Sequence, residues 1–265
     1  MYSVNYHRAS SVAEAVKLLK NGDAKALSGG MTLIPAMKVR LAAPSDLVDI
    51  SRLKELKGVK VSGKTVTIGA ATTHAEVAAD EKLRKAAPAV AALASMIGDP
   101  HVRHKGTIGG SGANNDPAAD YPAALLALDA TIVTNKREIS ADKFFIGLFE
   151  TALKDGEIIT AVSFTAPDKA AYEKFRNPAS LYAIAGVFVA KGKDGVRVAV
   201  TGAGDDGVFR AKDMEAAMAK KFDASSIEGI KVSPDGLMSD IHASAEYRAN
   251  LVKVMAKRAV AKAKG

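Results

Sequence analysis

The spacing of apolar residues changes repeatedly along the chain, and each change marks an element. Across residues 11–22, Val12, Ala15, Val16 and Leu19 fall on one face at a helical period. Ser11 followed by Glu14 has the spacing of a capping box, and Gly22 supplies the stop. Residues 25–28 read as a short strand running into Gly29-Gly30. Residues 32–41 predict a helix that tolerates Pro35 in its first turn, and 46–50 another short strand. This opening is an α/β alternation. From Val59 to Gly69 strict alternation around Gly63-Lys64 predicts a hairpin. Thr73 with Glu76 opens a short helix, and 88–97 is an Ala-rich, mostly buried one.

The second half repeats these themes with different weights. Residues 106–115 read as a Gly-rich loop. A helix over 117–128 follows, with Asp116 as its N-cap and Pro117 at its first position. Strands are expected at 131–134 and 158–164, and 167–177 reads as a boundary. Residues 183–190 and 196–201 alternate as strands joined by Gly192-Lys-Asp-Gly195, and helices over 212–220 and 243–262 complete the chain. No internal repeat is visible. The fold class is α+β in roughly three parts.

Two glycine runs about eighty residues apart carry the strongest chemical signal: Ser28-Gly29-Gly30-Met31-Thr32 and Gly106-Thr107-Ile108-Gly109-Gly110-Ser111. Paired glycines let backbone N–H groups approach a ligand, and the Ser or Thr adds a hydroxyl. Either run alone reads equally as a tight turn. Together they read as two facing nests for a pyrophosphate. Asp120, in the following helix, repels phosphate but suits a sugar hydroxyl. Gly202-Ala-Gly-Asp-Asp-Gly207 matches a dinucleotide fingerprint, yet Asp205 and Asp206 occupy the phosphate position, so it reads as a loop after a strand. His101 and His104, with His74 upstream and Arg103 and Lys105 alongside, are a weak ligand set, so no metal site is read here.

Composition narrows the function further. Of 265 residues, 48% are apolar and 25% charged, which fits a globular chain with a real core and excludes disorder. The absence of cysteine removes disulfides, thiolate metal sites and iron–sulfur ligation from this chain. An aromatic share of 5% without Trp argues against base-stacking nucleic-acid modules. The net charge of +8 is concentrated in residues 248–265, where Arg248, Lys253, Lys257, Arg258, Lys262 and Lys264 meet no acid. That pattern reads as a solvated helix end or a docking face for an acidic partner. No export signal or membrane-length apolar stretch is present, so a cytoplasmic protein without an integral membrane segment is expected.

With these residues set out, a family resemblance emerges. Residues 28–41, Ser-Gly-Gly-Met-Thr-Leu-Ile-Pro-Ala-Met-Lys-Val-Arg-Leu, resemble the first flavin motif of the FAD-binding medium subunits of molybdenum hydroxylases, the family that includes the carbon monoxide dehydrogenase medium subunit. Residues 97–111, from Ile-Gly-Asp-Pro-His-Val-Arg-His to Gly-Thr-Ile-Gly-Gly-Ser, resemble its second motif, and Asp116-Pro-Ala-Ala-Asp120-Tyr-Pro continues it. Lys174-Phe-Arg-Asn-Pro-Ala-Ser resembles the segment carrying the family's flavin-contacting lysine. Ser28, Met31 and Thr32 depart from the usual first motif, with Thr32 keeping the hydroxyl.

The resemblance implies a two-lobed FAD-binding domain of the PCMH type over 1–176, with lobes of about 1–57 and 58–176. A C-terminal α+β domain over 177–265 would hold a three-stranded antiparallel sheet and helices. It implies that Ser28, Gly29, Gly30, Met31, Thr32 and Leu33, with Thr107, Ile108, Gly109, Gly110 and Ser111, hold the pyrophosphate of FAD. Asp120 would take a sugar or ribityl hydroxyl, Ile97 and Ile159 would line the nucleotide, and Lys174 and Tyr182 would lie near the flavin. The implied function is electron transfer: FAD collects electrons from [2Fe-2S] clusters on a small subunit, fed by a molybdenum pterin on a large subunit, and passes them to an external acceptor. A dimer of heterotrimers is the expected assembly. A self-contained flavin oxidoreductase and a non-catalytic nucleotide-binding assembly module are the alternatives.

Overall fold

Three larger sheets follow one another along the chain in the computed structural model, which describes residues 1–265, and a two-stranded ribbon, Phe145–Gly147 with Glu150–Thr151, lies between the second and third in sequence but for the strand Ile159–Thr165. The first is parallel, with Asp46–Asp49 between Asn5–Arg8 and Lys25–Leu27. Its central strand is buried along its whole length, as a parallel strand covered by helices must be. The helices Val12–Leu18 and Leu33–Lys38 make the crossovers. Only half of the first capping box forms. Ser11 accepts from the Glu14 N–H, but the Glu14 carboxylate turns back to Ser10. The second helix is shorter than expected because Arg40 adopts a left-handed φ of 63°.

The second sheet is antiparallel, in the order Val59–Ser62, Thr65–Gly69, Ile159–Thr165, Thr131–Thr134, Glu138–Ser140. It contains the predicted hairpin, and Thr73–Glu76 forms the complete capping box. The main core lies against this sheet, built largely from the Ala-rich helix Pro88–Ser95 and the fully buried helix Asp120–Ala127.

Two expectations fail in this part. Residues 106–115 are not a loop: Ile108–Asn114 is an α-helix, capped by the Thr107 side chain accepting from Gly110 N–H. Each helical glycine costs about 1 kcal/mol relative to Ala, and packing offsets it. A Cβ on Gly109 would stand 2.5 Å from the Ala70 Cβ. The next helix begins at Asp120 with Ala119 as its cap, so Asp116 and Pro117 lie outside it. Asp116 instead closes a turn onto the Ala118 N–H at 2.9 Å. The stretch before the helix is held by the third sheet, since Thr201 Oγ1 donates at 3.0 Å to Pro117 O, with Ala119 O at 2.6 Å, and Gly202 N–H donates to Pro117 O at 2.8 Å.

The third sheet runs Lys169–Arg176, Ala183–Gly192, Gly195–Thr201, Phe209–Arg210. It has three long antiparallel strands and a two-residue fourth, but the first of them precedes residue 177, so only two long strands fall within the expected 177–265. Its first strand occupies the segment read as a boundary. The ladder there is anchored by Ala171 and Tyr172, both buried, with Tyr172 stacked on Phe188 at 6.2 Å. One face of this sheet packs on the helix Asp120–Ala127. The other carries a separate core under the helices Lys212–Lys220 and Ala245–Lys264. The basic charge of the last helix is mostly paired within the chain: Arg248 with Asp240, Lys257 with Glu228, Lys262 with Glu173, Lys264 with Asp223. No helix is long and apolar enough to cross a membrane.

Candidate functional site

A cleft of about 700 Å3 opens between the first two sheets, with its rim completed by residues 180–182 of the third part. Fourteen of the sixteen expected residues line it: Ser28 to Leu33, Ile97, Thr107, Gly109, Gly110, Ser111, Asp120, Ile159 and Tyr182. Ile108 and Lys174 do not.

The first glycine run is an open donor surface. The N–H groups of Gly29, Gly30, Met31, Thr32 and Leu33 bond to no group of the chain. Gly30 takes a left-handed φ of 70°, which only glycine adopts freely. Gly29 is required by a close approach. A Cβ there would lie inside the Lys105 carbonyl and 2.8 Å from Gly106 Cα. The two runs therefore pack directly on each other, and Ser28 Oγ and Thr107 Oγ1 share a hydrogen bond of 3.0 Å.

The second run is closed, which corrects the picture of two facing nests. Ile108 N–H donates to Thr72 O and Gly109 N–H to Ala70 O, while Gly110 and Ser111 bond to Thr107. The Ile108 side chain is wholly buried in the core, away from the cleft. From Ile108 to Ser111 the run therefore offers the cleft surface and shape rather than amides, and only the Thr107 N–H bonds to no group of the chain.

Acceptors come from the helix that follows. Asp120 is 3% exposed and receives the Tyr172 hydroxyl at 2.5 Å and the Lys174 ammonium at 3.0 Å. Burial raises the pKa of Asp120, and the neighbouring ammonium opposes that rise. Lys174 also donates to Leu181 O at 2.9 Å, and its side chain is 1% exposed. The expected flavin-facing cation is thus committed behind the wall, where it acts on Asp120. Asp116 adds a second acceptor on the lining, its carboxyl pushed up by burial.

The remaining walls are apolar at one end and aromatic at the other. Ile97, Ile158, Ile159 and Val102 form a slot suited to a flat heterocycle, and half-exposed Tyr182 stands at the rim. Glu157 lies at the slot. Its side chain is enclosed and held by Arg137 through bonds of 2.9 and 3.0 Å, which, with Thr134 and Lys154 N–H, bring its pKa down to about 2. Sequence reasoning missed Glu157, because twenty residues separate it from Arg137 and no local pattern links them. It also missed His74 as a cleft residue, having grouped it with metal ligands.

Comparisons with known proteins agree on what the chain resembles. The family described as FAD binding domain in molybdopterin dehydrogenase matches residues 2–167. The carbon monoxide dehydrogenase medium chain of Hydrogenophaga pseudoflava is 34% identical over 96% of this chain and 95% of that one. The glyceraldehyde dehydrogenase medium chain of Sulfolobus acidocaldarius is 36% identical over 96% of each. A solved structure of reconstituted CO dehydrogenase from Oligotropha carboxidovorans superimposes with a TM-score of 0.91 at 32% identity, covering 99% of this chain and 98% of the other.

Proposed function

The chain belongs to the family of FAD-binding domains of molybdopterin dehydrogenases, and from that premise we propose how its cleft serves as the flavin site of a multi-chain molybdenum hydroxylase. The observation that carries this reading is the run of free amides from Gly29 to Leu33. Successive unpaired N–H groups in a cleft are costly unless a ligand satisfies them, and a pyrophosphate does so with charge to spare. The apolar slot at Ile97 and Ile159 takes a flat ring, Asp120 accepts from a sugar or ribityl hydroxyl, and Tyr182 shields the end open to solvent.

Bound FAD supplies two-electron storage, which lets one-electron delivery from iron–sulfur clusters serve a two-electron acceptor. The residues of this chain bind and orient it. Lys174 and Tyr172 fix the Asp120 carboxylate in the cleft wall. Ser28 and Thr107 tie the two walls together. With no cysteine, the chain leaves the clusters and the molybdenum pterin to a small and a large partner subunit, and a dimer of heterotrimers in the cytoplasm is the assembly we propose. The two medium-chain relatives belong to a carbon monoxide and a glyceraldehyde dehydrogenase at similar identity. The substrate is therefore chosen at the molybdenum chain, and this chain handles electrons common to both.

A cofactor inventory on the complex purified from its native cells tests the reading. One FAD per copy, with one molybdenum and four irons on co-purifying chains, is the expected result. FAD without metals in an intact preparation would favour a free-standing flavoprotein, and no FAD would remove the assignment of the cleft.

A further inference from the structure

His74 stands in the cleft wall without a part in the reading above. It is the first residue of the helix His74–Ala79 and is 4% exposed. Its backbone N–H donates to Gly106 O at 2.9 Å. Gly106 also leaves room for the ring, since a Cβ there would stand 2.5 Å from Nε2. Gly29 packs on Gly106, so Nε2 lies one glycine away from the open amide run. Nδ1 is enclosed and has no partner, and the ring faces Tyr121 at 5.4 Å. Nε2 bonds to no group of the chain and keeps an opening on the cleft.

An enclosed, unpartnered ring nitrogen dictates where the proton sits. An N–H enclosed where no acceptor is within reach is an orphaned donor, the rarer and costlier defect, whereas a lone pair there costs less. An imidazolium would carry an N–H on both nitrogens. Nδ1 therefore keeps the lone pair and Nε2 keeps the proton. The surroundings agree. Burial, with Arg103 of the helix Pro100–Arg103 adding repulsion, brings the imidazole down to about 4. Tyr121, from the helix Asp120–Ala127, is pushed up by burial and stays neutral.

We propose that His74 is a fixed neutral donor whose Nε2–H binds a phosphate oxygen of the dinucleotide beside the Gly29–Leu33 amides. The inference rests on the cleft being the FAD site. A neutral donor adds a hydrogen bond without a titrating charge, so it holds its ligand evenly between about pH 5.5 and pH 8, where an ordinary histidine switches.

The test uses the full chain with FAD and ADP as probes. Long-range 1H–15N spectra of the wild type are expected to show the Nε2–H tautomer throughout that pH range, with the Nε2 resonance moving when ADP is added. By calorimetry, His74→Phe keeps the ring packing on Tyr121 and loses about tenfold in affinity for both probes, the worth of one good hydrogen bond. His74→Gln, which restores an N–H, recovers most of that loss. An Nδ1–H tautomer, protonation in the ordinary histidine range, or a His74→Phe chain that binds both probes as tightly as wild type would each overturn the proposal. If His74→Phe does not fold, the wild-type spectra decide. A wild-type chain that binds neither FAD nor ADP overturns the FAD site itself and this inference with it, an outcome distinct from failure of His74 alone.

Discussion

At Gly29-Gly30 the amides of five successive residues have no partner in the chain, while at Gly109-Gly110 the amides are taken by Ala70, Thr72 and Thr107. The hydroxyls differ in the same sense. Thr107 caps its helix, whereas Thr32 makes no side-chain cap bond to the helix it precedes. Similar short sequences thus produce a donor surface on one wall and a packed helix on the other. The difference lies in what surrounds each run. The strand end at Leu27 leaves the first run with nothing to pair, and the 70–72 backbone pairs with the second as it passes. The acceptor character of the second wall then comes from Asp120, one helix later.

Substitutions that separate the two walls should rank by how deeply each is built in. The largest effect is expected from Lys174→Met, which leaves the Asp120 carboxylate buried without its cation. Breaking such a pair costs about 3–5 kcal/mol, read as a shift in the urea midpoint at pH 7. Burial already raises the Asp120 pKa, and without Lys174 it rises further. A carboxyl whose folded pKa exceeds its unfolded value takes up a proton on folding, so the deficit should shrink as pH falls through the carboxylate range. A deficit that stays constant with pH would mean that Asp120 is not the group at stake.

Gly109→Ala comes next. The added methyl meets the Ala70 backbone, and overpacking of this kind costs about 1–3 kcal/mol. Chains that still fold should retain FAD at wild-type stoichiometry. An unchanged melting temperature with lost FAD would reinstate the second run as an amide nest. Gly30→Ala forces a left-handed residue and costs about 1 kcal/mol in stability, but its main effect should be on FAD affinity, because it redirects the open amides. Smallest in stability is Thr32→Val, within about 0.5 kcal/mol. Thr107→Val should cost about 1 kcal/mol through the lost cap. Equal thermal shifts for these two threonines would erase the distinction between the walls.

The regular elements were legible wherever the pattern was local. The hairpin at 59–69, the capping box at Thr73 and the helix Lys212–Lys220 all follow from spacing alone. The glycine runs were legible as a site but not as unlike partners, because where an amide bonds depends on segments such as 70–72 that only the fold brings near. The helix Ile108–Asn114 was hidden by glycine's poor propensity, which tertiary packing overrides. Lys174 was expected near the flavin, whereas it lies behind the cleft wall on Asp120. Its commitment to Asp120 required knowing that a strand of the third sheet lies behind a helix of the second part. Strand Asn5–Arg8 is short and largely exposed, so its sequence gave no periodic signal.

The family match stops at residue 167, yet Asp120 is neutralised by Lys174 and steadied by Tyr172, and the approach to its helix is clasped by Thr201. The first 167 residues are therefore not self-sufficient in charge. A gene fragment ending at that point would encode a cleft with a stranded carboxylate and a helix missing half its covering. Exchange of C-terminal parts between relatives would be tolerated only where the incoming piece brings its own lysine and tyrosine to the same acid. That requirement couples the stability of the two parts more tightly than their separate sheets suggest.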